Sequence, residues 1–440
     1  MAFPFSLFNS TKVVAGDAHP ANRSYFGSEV AISGNGNFMV VGAFADNDDT
    51  GAAYVFARGV DGWMQQAKLT ANDGEERDRF GISVAIDGAG DTIAVGANPS
   101  FNKGAVYIFD RTGNDWDQAQ KLHAFGDPYG DNAFGTSIGL SGGGRTLVVG
   151  DYQAEEFTPG SYRGRAYTFI RRGTPATFGE DIELMPSDRR TGDGFGSYRT
   201  VAISEDGQTI VIGAPGNKAA YVYLKHLNDG WHHHPWGEAA GNTGIQDAIL
   251  TTDEDDYWAA IGRPVAISAQ GDFIVLGSSD TWVPSALVFA RGGQGWADTD
   301  QHTKLRQRSG FDRSFGTAVA VRHDPERTIV LVGSLYEKAH WIGDAGAVYL
   351  FQLHQRGWIQ KARIYSPNPH FREEFGCDVT VNSGTGSFQG LPIAVIGAQL
   401  SRSSDGGATG AAHIFDLRDV GTIGPMVVAI MRAFSSIFRR

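Results

Sequence analysis

Short apolar runs separated by glycine-rich turns make up almost the whole chain, and they predict β-strands. The clearest unit begins at residue 81, where GISVAI (81–86) alternates small and apolar residues and the turn DGAGD (87–91) follows. Three further runs lie at 92–97, 104–109 and 116–122. All have strand length, are rich in β-branched and aromatic residues, and are bounded by turn formers. The unit therefore predicts four strands.

A recurring Phe-Gly pair sets the period of these units. Its last interval but one, from Phe195 to Phe315, spans 120 residues (315 − 195), about twice the others, so it conceals a repeat. That repeat is found at Ile261-Gly262, followed by PVAIS at 264–268. Seven repeats of four strands predict an all-β, seven-bladed β-propeller of four-stranded antiparallel blades. The six visible pairs begin at Phe26, Phe80, Phe134, Phe195, Phe315 and Phe375.

A Gly-Ala pair marks the second strand of four repeats and is relaxed to Gly-Asp or Gly-Ser in the other three, and a run of the type GAVYIF marks the third strand. The Gly-Ala pair starts at Gly42, Gly96, Gly213 and Gly397. In this combination the chain resembles the FG-GAP repeats of integrin α-subunit heads and of many bacterial and eukaryotic surface proteins, over residues 11–418. The resemblance implies an adhesion-type or assembly-type binding function and an extracellular or cell-surface location.

The seventh repeat lacks a fourth strand after its third strand at 410–415. Before the first Phe-Gly pair, however, TKVVAGD at 11–17 matches the fourth-strand pattern KLTAND at 68–73. We therefore expect the N-terminal strand to complete the last blade, because this pairing removes an exposed sheet edge. The predicted propeller domain spans 11–418, and 419–440 form a separate tail.

The tail has the pattern of a basic amphipathic helix. Pro425 suits the first helical position, and the apolar residues after it fall on one arc, opposite Arg432, Arg439 and Arg440. Three placements stay open: on its own propeller, on a partner or second subunit, or on a membrane surface. The helix is not a membrane span, because no run of 18 apolar residues exists. Its apolar face comprises Met426, Val427, Ile430, Met431, Phe434, Ile437 and Phe438.

Charge and cysteine content exclude some classes of function. The net charge of −12 disfavours nucleic acid, since phosphate binding needs a basic face. Cys377 is the single cysteine, so no internal disulfide forms, and its inner-strand position predicts a buried structural thiol. The first ten residues have no basic region and their apolar run is broken by Pro4 and Asn9, so we do not interpret them as a signal peptide.

No metal or cofactor is predicted. The resemblance implies calcium in the turns between strands one and two, but none of the seven turns here carries three spaced carboxylates. A denser acidic loop with Asp46, Asp48 and Asp49 is an alternative cation site, although such loops are usually only solvated. The three consecutive histidines at 232–234 are interpreted as a surface loop, because adjacent side chains point in different directions.

No sequence motif indicates an enzyme: a nucleophile elbow, a phosphate loop and a carboxylate pair are all missing from the sequence patterns. We therefore predict a non-catalytic module that binds a protein partner or its own copies. The alternatives are a carbohydrate-binding propeller and an enzyme with a site at the channel mouth. Tryptophans that recur at one position of the repeat, such as Trp63, Trp116, Trp296 and Trp358, are assigned to packing. Non-recurring loop aromatics are the candidate contact residues: Tyr152, Tyr162, Tyr257, Trp258, Trp282, Tyr336 and Trp341.

Overall fold

Seven antiparallel sheets follow one another along the chain as the blades of a propeller. The computed structural model describes residues 10–17, 23–98, 103–125, 133–154, 162–188, 190–226, 230–231, 243–244, 246–252, 260–279, 284–299, 302–307, 314–339, 341–384, 392–402 and 407–417. Within these residues each repeat forms one blade, including the fifth repeat that lacks a Phe-Gly pair. The predicted seven-bladed architecture is therefore confirmed.

In the first three blades, strand one lines the central channel and the later strands follow outward in sequence order. A turn at Asp46–Asp49 follows the second strand of blade one. The strands are Val30–Ile32, Phe38–Ala43, Ala52–Gly59 and Gly62–Leu69 in blade one; Ser83–Ile86, Thr92–Ala97, Ala105–Thr112 and Asp115–Leu122 in blade two; and Ser137–Leu140, Thr146–Asp151, Arg165–Arg172 and Thr177–Leu184 in blade three.

The remaining blades also have strand one at the channel, and a 3-10 turn at Pro215–Asn217 joins two strands of blade four. Their strands are Val201–Ile203, Thr209–Ala214, Ala219–His226, Gly230–Trp231 and Ala248–Leu250 in blade four; Ala260–Ile267, Phe273–Ser279, Ser285–Ala290 and Thr303–Leu305 in blade five; Phe315–His323, Thr328–Ser334, Ala347–His354 and Gly357–Ile364 in blade six; and Phe375–Val381, Ile393–Ala398, Ala411–Asp416 and Ser10–Val13 in blade seven.

Blade four departs from the repeat at its outer edge. Trp231 pairs with Lys225 at the far end of the third strand, as its position in the repeat predicts. The inner half of that strand pairs instead with Ala248–Leu250. The fourth strand is thus divided into two short pieces by an insertion, from which Thr243–Gly244 pairs in parallel with the last strand of blade three.

Adjacent blades approach so closely that the recurring glycines are needed. A Cβ atom on Gly42 of blade one would lie 2.3 Å from the carbonyl oxygen of Gly81 in blade two. Beside this contact, the Phe80 ring of blade two is fully buried and packs edge-on against Tyr107 at 5.4 Å between ring centroids. Full burial of such a side chain contributes about 1.5–3 kcal/mol. The Phe-Gly and Gly-Ala pairs therefore serve the contact between blades.

The N-terminal strand closes the ring, as predicted. Ser10–Val13 pairs antiparallel with the third strand of blade seven, with Ser10 opposite Phe415 and Val13 opposite Ala412. Val13 is buried, and it belongs to an apolar cluster shared by blades one and seven. The first and last parts of the chain therefore stabilise each other.

The third strand of blade seven carries a histidine where five other blades have tyrosine. His413 is 1% exposed, and its Nε2 lies 3.9 Å from Glu373 Oε1, beyond hydrogen-bond distance. In blades one and two, by contrast, the tyrosine hydroxyl donates a hydrogen bond to an aspartate, as Tyr54 does to Asp17 at 2.8 Å. Burial lowers the pKa of His413 to about 3, and the positive charge of Lys12 adds to this effect.

Candidate functional site

A two-residue insertion in repeat four sends a charged side chain into the central channel. Repeat one has two residues between Gly27 and Val30, whereas repeat four has four between Gly196 and Val201. The additional pair includes Arg199, whose φ of 58° places its backbone in the left-handed region. The bulge moves the Arg199 side chain off the strand and across the channel.

Arg199 contacts blades one and seven from its position in blade four. Its Nε donates to Glu29 and lies 3.8 Å from Asp378 Oδ1. Its terminal nitrogens donate to the carbonyl oxygens of Ser28 and Cys377, the latter at 2.5 Å. Asp378 in turn accepts a hydrogen bond from the amide of Val30 at 2.8 Å. Three blades are thus tied together at the axis of the ring.

The protonation behaviour of this cluster follows from its burial. Burial raises the pKa of Glu29 and of Asp378, while the Arg199 guanidinium opposes that effect. Burial by itself would lower the pKa of Arg199, but the two carboxyl groups raise it above its ordinary value. Since all three polar heads face one another, we define Glu29, Arg199 and Asp378 as the channel clamp.

A cavity of about 320 Å³ lies at the channel mouth, directly over the clamp. It is on the face that carries the loops between strands two and three, because Phe44 and Leu335 from the ends of second strands line it. Tyr198 lines it as well, with the Arg263 guanidinium 5.6 Å from the ring centroid. The predicted contact residue Tyr152 packs on Tyr198 at 5.8 Å between ring centroids, so it belongs to this mouth.

A second group of aromatic side chains is exposed on the same face at blades six and seven. Tyr336 is 51% exposed and Trp341 is 84% exposed, both in the loop between strands two and three of blade six. The structure adds Phe371, which is 53% exposed in the connection to blade seven. We call Tyr336, Trp341 and Phe371 the blade six–seven aromatic surface.

The other predicted contact residues are dispersed or undescribed. Tyr162 is exposed at blade three, three blades away from Trp341, so the two predicted residues do not share one surface. The recurring tryptophans pack against the blade cores as predicted: Trp63, Trp116, Trp296 and Trp358. Tyr257, Trp258 and Trp282, and the residues of the predicted C-terminal helix, lie outside the described residues.

Asp46 of the acidic loop forms an ion pair with Lys68. Its Oδ2 lies 2.7 Å from Lys68 Nζ, and the hydroxyl of Tyr54 donates to it at 3.5 Å. Asp48 is exposed and Asp49 half-buried in the left-handed turn that follows. Within the described part of the chain, no group of three His, Cys, Asp or Glu side chains is arranged to hold a metal.

The channel clamp escaped sequence reasoning because its members are far apart in the chain. A signal was nevertheless present: Glu29 and Asp378 precede the first strand-one valine, where repeats two and three have Ser83 and Ser137. The sole cysteine lies beside the clamp, where its Sγ donates to the carbonyl oxygen of Gly27 at 3.2 Å. Burial raises the pKa of this thiol to about 12, which agrees with the predicted structural role.

Blade number, ring closure and channel define the class of protein as a closed seven-bladed β-propeller. A family model described as FG-GAP repeat matches residues 9–56, 63–109, 116–169 and 178–223. Four FG-GAP repeats thus lie within residues 9–223, which confirms the resemblance found in the sequence. No curated protein matches the sequence. Within the described residues, no helix has the length and apolar character needed to cross a membrane.

Several solved structures share the fold at low identity. U3-55K has a TM-score of 0.54 and 10% identity, covering 93% of this chain and 98% of its own. Hydrazine synthase from Kuenenia stuttgartiensis has a TM-score of 0.51 and 11% identity, and the match covers 87% of this chain and 94% of its own. A protein from Lactobacillus plantarum has a TM-score of 0.50 and 15% identity, and the match covers 78% of this chain and 86% of its own. Likeness at these identities concerns the fold alone, because one fold serves many functions.

Proposed function

We propose that the protein is a non-catalytic binding module that engages a protein partner through the blade six–seven aromatic surface. The observation that carries this proposal is the exposure of Trp341 and Phe371 on two adjacent loops of one face. Tryptophan, tyrosine and arginine are the residues that most often dominate binding energy at protein interfaces. The Arg372 guanidinium lies 5.2 Å from the centroid of the Phe371 ring and completes such a set.

The loops that carry these side chains are held in place. Trp341 lies in a tight turn in which the amides of Ala339 and Ile342 each donate to the other's carbonyl oxygen, at 3.1 and 3.0 Å. The amide of Arg372 donates to the carbonyl oxygen of Gly343 at 3.4 Å, so the two loops are joined. Aromatic anchors on fixed loops lose little conformational entropy on binding, which favours affinity.

The contacts of the channel clamp favour a structural role over a catalytic one. Clustered carboxyl groups with raised pKa values, such as Glu29 and Asp378, are also typical of enzyme sites. Here Glu29 and Asp378 both face the Arg199 guanidinium, and Asp378 also accepts the Val30 amide. One oxygen of each carboxyl group is thus hydrogen-bonded within the protein, where the cluster joins blades.

The test compares two double variants in affinity capture from an extract of the source organism. Trp341→Ala with Phe371→Ala removes the aromatic surface, whereas Val60→Ala with Met64→Ala removes equally exposed apolar side chains from blade one. We expect the wild type and the blade one control to capture the same protein. The purified partner should then bind the aromatic-surface variant at least tenfold more weakly, which corresponds to about 1.4 kcal/mol.

Equal affinity of both variants for the partner contradicts the proposal, and so does the failure of the wild type to capture any protein. Before comparison, the thermal midpoints of both variants are measured, because only folded protein is informative. Exposed side chains contribute little to stability, so the midpoints should match that of the wild type.

Carbohydrate binding is the second candidate, since the 84% exposed indole of Trp341 offers a flat face for stacking on a sugar ring. A glycan array probed with the wild type and with Trp341→Ala separates the two functions. Glycan binding that is lost in the variant favours the second candidate. An array without any binding removes it.

A further inference from the structure

We propose that the channel-mouth cavity binds a small organic carboxylate, which Arg263 recognises. The cavity lies at the axis of the ring over the channel clamp. It shares no residue with the blade six–seven aromatic surface, so this inference goes beyond the proposed function. Its volume of about 320 Å³ lies at the lower end of the range of ligand pockets, roughly 300–1,000 Å³.

The charge of the cavity selects an anion. Three formally charged side chains line it, and two of these, Glu29 and Arg199, bond each other. Arg263 is the third: its guanidinium lies over the Tyr198 ring and makes no ion pair with any residue that the structure describes. A guanidinium presents paired N–H groups that match the two oxygens of a carboxylate.

The walls of the cavity select an organic ligand. Phe44, Leu335 and Tyr198 provide apolar surface beside the guanidinium. Inorganic phosphate would leave this surface without contact and would have one arginine for its charge. A carboxylate attached to a small apolar body contacts both the guanidinium and the apolar walls.

Buried hydroxyl groups point to hydrogen bonding with a bound molecule. Ser28 is 95% buried, and its Oγ has no hydrogen-bond partner among the described residues; the same holds for Thr317 Oγ1. Both residues line the cavity. Each follows the glycine of its repeat's Phe-Gly pair, in blades one and six. A buried hydroxyl without a partner is costly, so a ligand with polar atoms is favoured there.

The probe is benzoate, compared with its neutral analogue benzamide and with inorganic phosphate, by isothermal titration calorimetry on the full chain. We expect benzoate to bind, with at least tenfold weaker binding of benzamide and of phosphate. Arg263→Ala should weaken benzoate binding at least tenfold. Arg356→Ala, which removes an exposed arginine outside the cavity, should leave it unchanged.

Three results would each overturn the inference: no heat of binding with benzoate, equal affinity for benzoate and benzamide, or wild-type affinity in Arg263→Ala. Arg263 is exposed, so its substitution preserves the fold, and the thermal midpoint verifies this. The double variant Trp341→Ala with Phe371→Ala should bind benzoate normally. Its result therefore separates failure of the carboxylate site from failure of the proposed protein-binding surface.

Discussion

The Arg199 guanidinium of blade four bonds the Glu29 carboxylate of blade one across the central channel, although 170 positions separate the two residues in the chain. Packing joins each blade to its neighbours, whereas this ion pair joins blades that are not neighbours. Asp378 brings blade seven into the same cluster. The ring is thus closed twice, by the N-terminal strand in blade seven and by the channel clamp at its axis.

Replacing Arg199 with leucine should destabilise the protein by about 3–5 kcal/mol, because two buried carboxyl groups lose the one cation that pairs with them among the described residues. Urea unfolding measures this loss as a change in the free energy of unfolding. The matched control adds Glu29→Gln and Asp378→Asn to the same variant. It should regain more than half of the lost stability, since no charge then remains unpaired. A triple variant as unstable as Arg199→Leu would show that packing, and not charge, explains the loss.

Deleting residues 1–17 should lower the thermal midpoint by roughly 5 °C or more. The deletion removes the four-residue strand Ser10–Val13 and exposes the edge of Ala411–Asp416. Differential scanning calorimetry measures the midpoint. Adding a synthetic peptide of residues 10–17 should restore part of the loss, because the peptide can pair with the vacant edge. An unchanged midpoint would contradict closure by this strand.

The repeat made the fold predictable, while contacts across the ring did not follow from it. The spacing of the Phe-Gly pairs indicates seven blades even though Ile261-Gly262 replaces the fifth pair, since spacing survives the change of residue. The contacts of the Arg199 side chain are with residues of blades one and seven, and the pattern of a single repeat does not predict contacts with distant repeats. Phe371 was missed for a related reason: its exposure is decided by how two loops pack.

Acid should destabilise the protein through His413. The pKa of this buried side chain is lowered to about 3, from an ordinary value of 6.5, so the folded state holds fewer protons between these values. Its contribution to stability is therefore complete above pH 6.5 and is lost as the pH falls toward 3. At pH 5 the loss is about 2 kcal/mol. The charged and titratable groups that face the His413 imidazole are Lys12, His370 and Glu373.

The matched variant is His413→Tyr, which restores the residue found at this position in five other blades. It should flatten the decline of unfolding free energy between pH 6.5 and pH 5. Burial raises the pKa of Glu373 from 4.5 to about 7, so the contribution of Glu373 to folding stability falls as the pH rises above 4.5. Comparing variant and wild type at each pH isolates the histidine. Parallel pH profiles would contradict its role.

Adding a side chain at Gly42 should separate blades one and two. Its Cβ atom would lie 2.3 Å from the carbonyl oxygen of Gly81, a backbone atom that cannot move without shifting a blade. We expect Gly42→Ala to cost about 2 kcal/mol or more in urea unfolding. Gly59→Ala is the control, because the nearest atom there is 3.6 Å away. Equal stability of the two variants would contradict tight contact between blades.

Binding of a partner protein to the loop face at blades six and seven can be located by hydrogen–deuterium exchange of the full chain, with and without the captured partner. We expect slower exchange on binding to be concentrated at residues 335–346 and 366–374, around Trp341 and Phe371. Unchanged exchange in both segments, with slower exchange on another face of the ring, would contradict this expectation.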